Sequence, residues 1–110
     1  MPPIDLSNVS AHFAVERKQR ITAIENSIGW GKPVATIPTL DGKNFATLTD
    51  TGVMVIRTPE NMIITAFVAN IRKATKVYKT AFNGARMPAA LWNRIQENNS
   101  CGLFPDLIAA

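Results

Sequence analysis

Apolar and polar positions along this 110-residue chain change period twice. Residues 10–19 place Phe13, Ala14 and Val15 around a helical face, behind a Ser/Asn-rich start suited to capping. The stretch "TAIE", Thr22–Glu25, reads as a capping box, which predicts a second short helix over 23–28 and a tight corner at Arg20–Ile21. "GWGKP" then ends that helix with Gly29, Gly31 and Pro33. From residue 33 the period shortens. "VATIPTL", "FATLTDTG", "VMVIRT" and "MIITAFV" are rich in β-branched and aromatic residues, and "DGKN", "DTG" and "PEN" supply turns between them. This pattern predicts three or four antiparallel strands in a meander. Val53–Arg57 and Met62–Val68, apolar on both faces, belong in the centre, while Pro38 marks an edge.

Helical spacing returns after residue 70. In "NIRKATKVYKTAF" a stripe of Ile71, Ala74, Tyr78, Ala81 and Phe82 turns inward, with Arg72, Lys73, Lys76 and Lys79 off it. Gly84 ends this helix, and Pro88 opens another in which Leu91, Trp92 and Ile95 face the core. The tail from Ser100 has no clear period, and Leu103 and Phe104 are candidates to fold back. The expected fold class is therefore α+β: N-terminal helices, a three- to four-stranded antiparallel meander sheet and C-terminal helices. No repeat or linker divides the chain, so residues 1–110 are expected to form a single domain.

Composition narrows the chemistry. A lone cysteine, Cys101, excludes an internal disulfide and is most simply a small semi-buried hydrophobe. One Cys with one His cannot supply a four-ligand zinc site, and no glycine-rich phosphate loop or nucleophile elbow is present, so neither a metal nor a cofactor is expected. The longest uncharged run, Asn61–Ile71, is far below the ~20 apolar residues of a membrane span. No signal peptide is visible either, so the expected site of action is cytoplasmic, with delivery from another cell or a phage compatible with the same sequence.

Charge changes the picture most. Twelve Lys and Arg against eight acids leave a formal +4. Between Asn61 and Gln96 there is no acid at all, against Arg72, Lys73, Lys76, Lys79, Arg86 and Arg94. Such an asymmetry points to a polyanionic partner, nucleic acid first and an acidic protein second. Arg20, Arg72, Lys73, Lys76, Tyr78 and Lys79 are the candidate RNA-binding residues, although the stripe on which Tyr78 falls favours a core position for it.

The candidate chemistry centres on His12, the only histidine, in "SNVSAHFAVERKQR". Its unperturbed pKa of ~6.5 suits acid–base work near neutrality. Glu16 follows at i+4 on the same helical face and either orients the ring or merely pairs with it. Metal-free RNA cleavage needs a base for the 2′-hydroxyl proton, an acid for the 5′-oxygen, and cations with hydroxyl donors around the phosphorane. His12, Glu16, Arg17, Arg57 and Thr65 supply those residue types, each with a plainer structural reading beside it. Arginine 17 and arginine 20 serve equally as solvated surface, and a threonine in an apolar strand is an ordinary β-former.

"SAHFAVERKQRITAIENSIGWGKP", followed by a meander ending "GVMVIRT…MIITAF", resembles the barnase–EndoU–colicin–RelE-like superfamily of small RNase toxins, and is most similar to phage-encoded and contact-dependent inhibition toxin domains. The resemblance covers residues 7–68. It implies that His12 corresponds to the helical histidine, Arg17 to the basic residue after it, Arg57 to the strand-end cation and Thr65 to the late-strand hydroxyl. One departure stands out: the family's arginine lies one turn after the histidine, whereas here Glu16 holds i+4 and Arg17 follows it.

The resemblance implies a metal-independent endoribonuclease toxin that cleaves RNA, with tRNA the expected substrate, by 2′-hydroxyl attack on the adjacent phosphate. It also implies an acidic immunity protein or antitoxin as partner. Such an enzyme requires His12, Thr65 and an arginine to converge on one cleft. The alternative is a non-catalytic basic nucleic-acid-binding or phage-associated interaction module in which His12 is incidental. A small structural protein whose basic face meets an acidic protein is the third reading.

Overall fold

The computed structural model describes residues 4–100 and 108–109, without the side chains at 19, 20, 108 and 109. The expectations for Cys101, Leu103, Phe104 and the Arg20 side chain lie outside the described residues.

Helix α1 (Ala11–Glu16) starts on Ser10, whose Oγ accepts from the Phe13 amide at 3.0 Å and donates to the Ile64 carbonyl at 3.2 Å. The cap thus satisfies an orphan helix donor and ties the helix start to the sheet. Phe13 and Glu16 are its buried side chains. The chain then runs through a π-helical turn, Arg17–Ile21, straight into α2 (Thr22–Ser27). The expected corner at Arg20–Ile21 is therefore absent.

The reason is one of phase. In an ideal α-helix Ile21 would stand about 80° away from Phe13. A π turn advances less per residue, which swings Ile21 back onto the stripe of Phe13 and keeps Ile24 on it. All three are fully buried. The expected capping box fails for the same reason: a continuous helix has no free amides at Thr22 to cap. Instead the Thr22 hydroxyl donates to the Arg17 carbonyl, and Glu25 turns to Arg17 and Trp30.

Strands β1 (Pro33–Pro38), β2 (Phe45–Thr49), β3 (Val53–Arg57) and β4 (Ile63–Ala69) form the antiparallel meander in sequence order. β1 is an edge, as Pro38 requires. On the other side of β4, a two-residue strand β5 (Ile108–Ala109) pairs parallel with Val68–Ala69, and Val9 bridges to Ile63. Strand alternation sends Val53, Val55 and Arg57 to one face and Met54 and Ile56 to the other. The first face carries Phe13, Ile21 and Ile24 of the N-terminal helices, with Trp30 packed alongside. The second carries α3 (Ile71–Ala81) and α4 (Ala89–Ser100) through Ala74, Val77 and Ile95. The fold is α+β, with helices from the two ends of the chain flanking the sheet.

Within α3 the buried stripe is Ala74 and Val77, flanked by Ile71, Tyr78 and Ala81. Phe82 instead sits at the helix end, exposed, its ring 4.6 Å from that of Tyr78. In α4, Leu91 and Ile95 face the sheet but Trp92 does not: it is 41% exposed. Neighbouring helical residues diverge by about 100°, so the core accepts Leu91 and leaves Trp92 outside.

Candidate functional site

The face covered by α1 and α2 divides into two halves. Over β3 and β4 it is apolar: Val53, Val55, Ile63, Ala66 and Val68 are fully buried there. Over β1 and β2 it is lined with hydroxyls. Thr36 pairs in register with Thr47, and Thr47 with Val55, so one row crosses the sheet from polar to apolar. The Thr36 and Thr47 hydroxyls meet at 3.0 Å. Arg57 lies diagonal to Thr47 on the same face, because its direct partner on β2 is Phe45.

Arg57 is half-buried, and its guanidinium is held by neutral groups. Nη2 donates to Thr47 Oγ1 at 2.7 Å and Nη1 donates to Asn61 Oδ1 at 3.0 Å. Asn61 reaches that position from the β3–β4 turn, where its backbone adopts φ 68°. No carboxylate pairs with Arg57 among the described residues. A partly desolvated guanidinium bonded only to neutral acceptors has N–H donors to spare, the condition for binding an oxyanion bidentately.

Arg17 differs in each respect. Its Nε and Nη2 donate to Glu25 Oε1 and Oε2 at 2.9 and 2.8 Å, a bidentate pair. Hydrogen bonding from Arg17 lowers the Glu25 carboxyl against the opposing effect of burial, and a 3.2 Å bond from Trp30 Nε1 adds to the lowering. The fork that was expected to hold phosphate is thus occupied by a carboxylate. Trp30 also packs against Phe13, the rings tilted with centroids 5.9 Å apart, so Arg17, Glu25, Trp30 and Phe13 form one structural chain that fixes the π turn on the core.

His12 lies beside Phe13 on α1 with its side chain 66% exposed, and its Nε2 contacts Glu16 Oε1. Glu16 itself is almost fully buried. The i,i+4 placement read from the sequence is therefore real, with the imidazole in solvent and the carboxylate behind it. A buried carboxylate on one ring nitrogen orients the ring and leaves the other free for a proton.

Thr65 stands apart. It pairs with Ile56, and Ile56 points to the α3–α4 face, so Thr65 and Arg57 leave the sheet on opposite sides. The convergence of His12, Thr65 and an arginine does not occur. The hydroxyl on Arg57 comes from Thr47 instead, a residue the order of motifs did not single out. Only the strand register could have revealed it.

The candidate RNA-binding residues lie on the α3–α4 side. Arg72, Lys73, Lys76 and Lys79 are all exposed, and Tyr78 is half-buried beneath Phe82. Lys73 Nζ sits 5.2 Å from the centroid of the Phe67 ring. Arg94 donates to the Asp50 carbonyl at 3.2 Å. The basic surface and the Arg57 corner therefore occupy different helical layers. Among the described residues no group of three or more His, Cys, Asp or Glu side chains is placed to hold a metal ion, and no helix is long and apolar enough to cross a membrane. No family model, curated protein or solved structure matches the chain.

Proposed function

We propose that the chain is a metal-independent endoribonuclease of the small toxin type, acting on RNA with tRNA as its expected substrate. The observation that carries this reading is the Arg57 guanidinium, half-buried on two neutral acceptors and paired with no carboxylate among the described residues. In the reaction a base takes the 2′-hydroxyl proton, the 2′-oxygen attacks the adjacent phosphorus, the bond to the 5′-oxygen breaks, and an acid protonates that oxygen. The products are a 2′,3′-cyclic phosphate and a 5′-hydroxyl. Arg57 holds the phosphate and stabilises the charge that builds on it. Proton transfer is assigned to His12, oriented by Glu16, and requires the imidazole to reach the phosphate on Arg57, with Thr47 in the place expected of Thr65. Thr47 and Asn61 position Arg57, and Arg17 shapes the helix. An acidic immunity protein or antitoxin is the partner this reading carries with it.

The test is incubation of total tRNA with the protein in EDTA, beside the His12→Ala and Arg57→Ala variants. The wild type is expected to produce fragments ending in cyclic phosphate, and each variant to lose at least about 100-fold, the usual contribution of an acid–base group or an electrostatic stabiliser. Intact tRNA at stoichiometric protein would overturn the reading.

A second reading is favoured by the exposed basic surface of α3: a non-catalytic RNA-binding module. Its mark is binding that weakens steeply with salt and yields no product.

A further inference from the structure

The loop between α3 and α4 borders a groove of about 670 Å³ that the catalytic reading does not use. Thr75 and Lys79 line it from α3, Gly84 and Arg86 from the loop, and Trp92 and Asn93 from α4, one turn beyond Ala89. Met87 forms a buried floor. Lys79, Arg86, Trp92 and Asn93 are all exposed.

Three features of this groove suit one kind of ligand. The Trp92 indole, on the face of α4 turned from the sheet, is 41% exposed and lines the groove. Two cations, Lys79 and Arg86, line the groove with it, and no carboxylate does so among the described residues. The absence is regional: no acid occurs in sequence between Glu60 and Glu97. A hydroxyl and an amide, from Thr75 and Asn93, line the same groove.

An aromatic ring and two cations in one groove, with neutral hydrogen-bonding groups in the same lining, is the chemistry that binds an unstacked base and its flanking phosphates. We infer that this groove holds a nucleotide of single-stranded RNA, its base stacked on Trp92 and its phosphates on Lys79 and Arg86. The inference goes beyond the ribonuclease reading, since it requires RNA to bind but not to be cut. It also gives the α3–α4 layer a role distinct from the Arg57 corner. A folded RNA would present a helical region or loop to one layer and an unpaired segment to the other.

The test uses the full chain and a fluorescein-labelled, fully 2′-O-methylated RNA octamer, which lacks the attacking hydroxyl, with anisotropy as readout. Base–aromatic stacking at about 1–3 kcal/mol corresponds to roughly a 5- to 150-fold loss of affinity for Trp92→Ala. Trp92→Phe, which keeps a ring, is expected to stay within about threefold, and a duplex of the same sequence to compete poorly because its bases are stacked. Lys79→Ala and Arg86→Ala should each reduce the slope of log affinity against log salt by about 0.7. Thermal melting of each variant reports folding separately. If Trp92→Ala binds as tightly as wild type, or if duplex and single strand bind equally, the groove is only part of a charged face and the inference fails. Cleavage of tRNA is scored in parallel. Trp92-dependent binding without cleavage overturns the ribonuclease reading alone, and cleavage without Trp92-dependent binding overturns this inference alone.

Discussion

Thr47 and Arg57 meet at 2.7 Å across neighbouring strands, the hydroxyl on a fully buried side chain and the guanidinium half in solvent. A buried acceptor of fixed rotamer sets where the exposed part of the fork points. Thr47→Val keeps the shape, removes the acceptor for Arg57 and breaks the contact with Thr36. RNA cleavage is expected to fall about tenfold, which is the value of one net hydrogen bond of about 1.4 kcal/mol. Thr65→Val, half-buried on the opposite face and out of reach of Arg57, is expected to leave cleavage within about twofold of wild type, a change of less than about 0.5 kcal/mol. Initial rates on one tRNA preparation, with melting curves for both variants, decide the point. Equal losses in the two variants would remove Thr47 from the positioning of Arg57.

The meander could be read from the sequence because its signals are local: β-branched runs and the turns at Asp41-Gly42, Asp50-Thr51-Gly52 and Pro59-Glu60-Asn61 all act between neighbours. The His12–Glu16 pair was legible for the same reason, being an i,i+4 relationship within one helix. What escaped depends on phase or register. The π turn at Arg17–Ile21 adjusts one helical phase, so a continuous path looked like a corner. Trp92 adjoins Leu91, and hydrophobicity does not say which of the two meets the sheet. Thr65 and Thr47 depend on strand register, where a slip of one residue exchanges faces. The pairing of β5 with Val68–Ala69 is non-local, and the tail carries no pattern that announces it.

His12 offers a separation of roles that few buried residues allow. Because its ring is 66% exposed, His12→Gln is expected to change stability by less than about 0.5 kcal/mol. Cleavage, by contrast, is expected to fall by about 10²- to 10⁴-fold if the ring moves the proton. Denaturant unfolding and cyclic-phosphate formation, measured on the same samples, check both halves. A stable variant that cleaves normally would assign proton transfer to another group.

The Arg17–Glu25 pair makes stability depend on pH in one direction. Glu25 is held below its ordinary value chiefly by hydrogen bonding from Arg17, so the folded state binds its proton less tightly than the unfolded chain does. Its contribution is complete above the unfolded value of about 4.3 and is lost as pH falls through the folded value. Glu25→Gln is expected to cost about 1 kcal/mol at neutral pH, discounted because Arg17 is 38% exposed. The difference between wild type and variant should shrink as pH drops below that range. Melting temperatures of both proteins across the acid range measure it, and a constant difference would assign the cost to packing against Trp30.

Gly52 turns the chain between β2 and β3 under α4. Its φ of 90° lies in the region that favours glycine, and a Cβ there would stand 3.1 Å from Ile95 Cγ1. The turn is held from both sides: the Gly52 amide donates to the Thr49 carbonyl at 3.1 Å, and Asn98 Nδ2 donates to the Thr51 carbonyl at 2.7 Å. Gly52→Ala therefore meets backbone strain and a steric conflict together. The expected loss is about 1–3 kcal/mol for the conformation alone, with more from displacing the fully buried Ile95. Because Ile95 anchors α4, the same change should loosen Trp92 and weaken octamer binding, while the Thr47–Arg57 contact, on the other face of the sheet, stays in place. Unfolding in urea, octamer anisotropy and tRNA cleavage distinguish the two layers. Cleavage that falls in step with octamer binding would mean that the layers work as one surface.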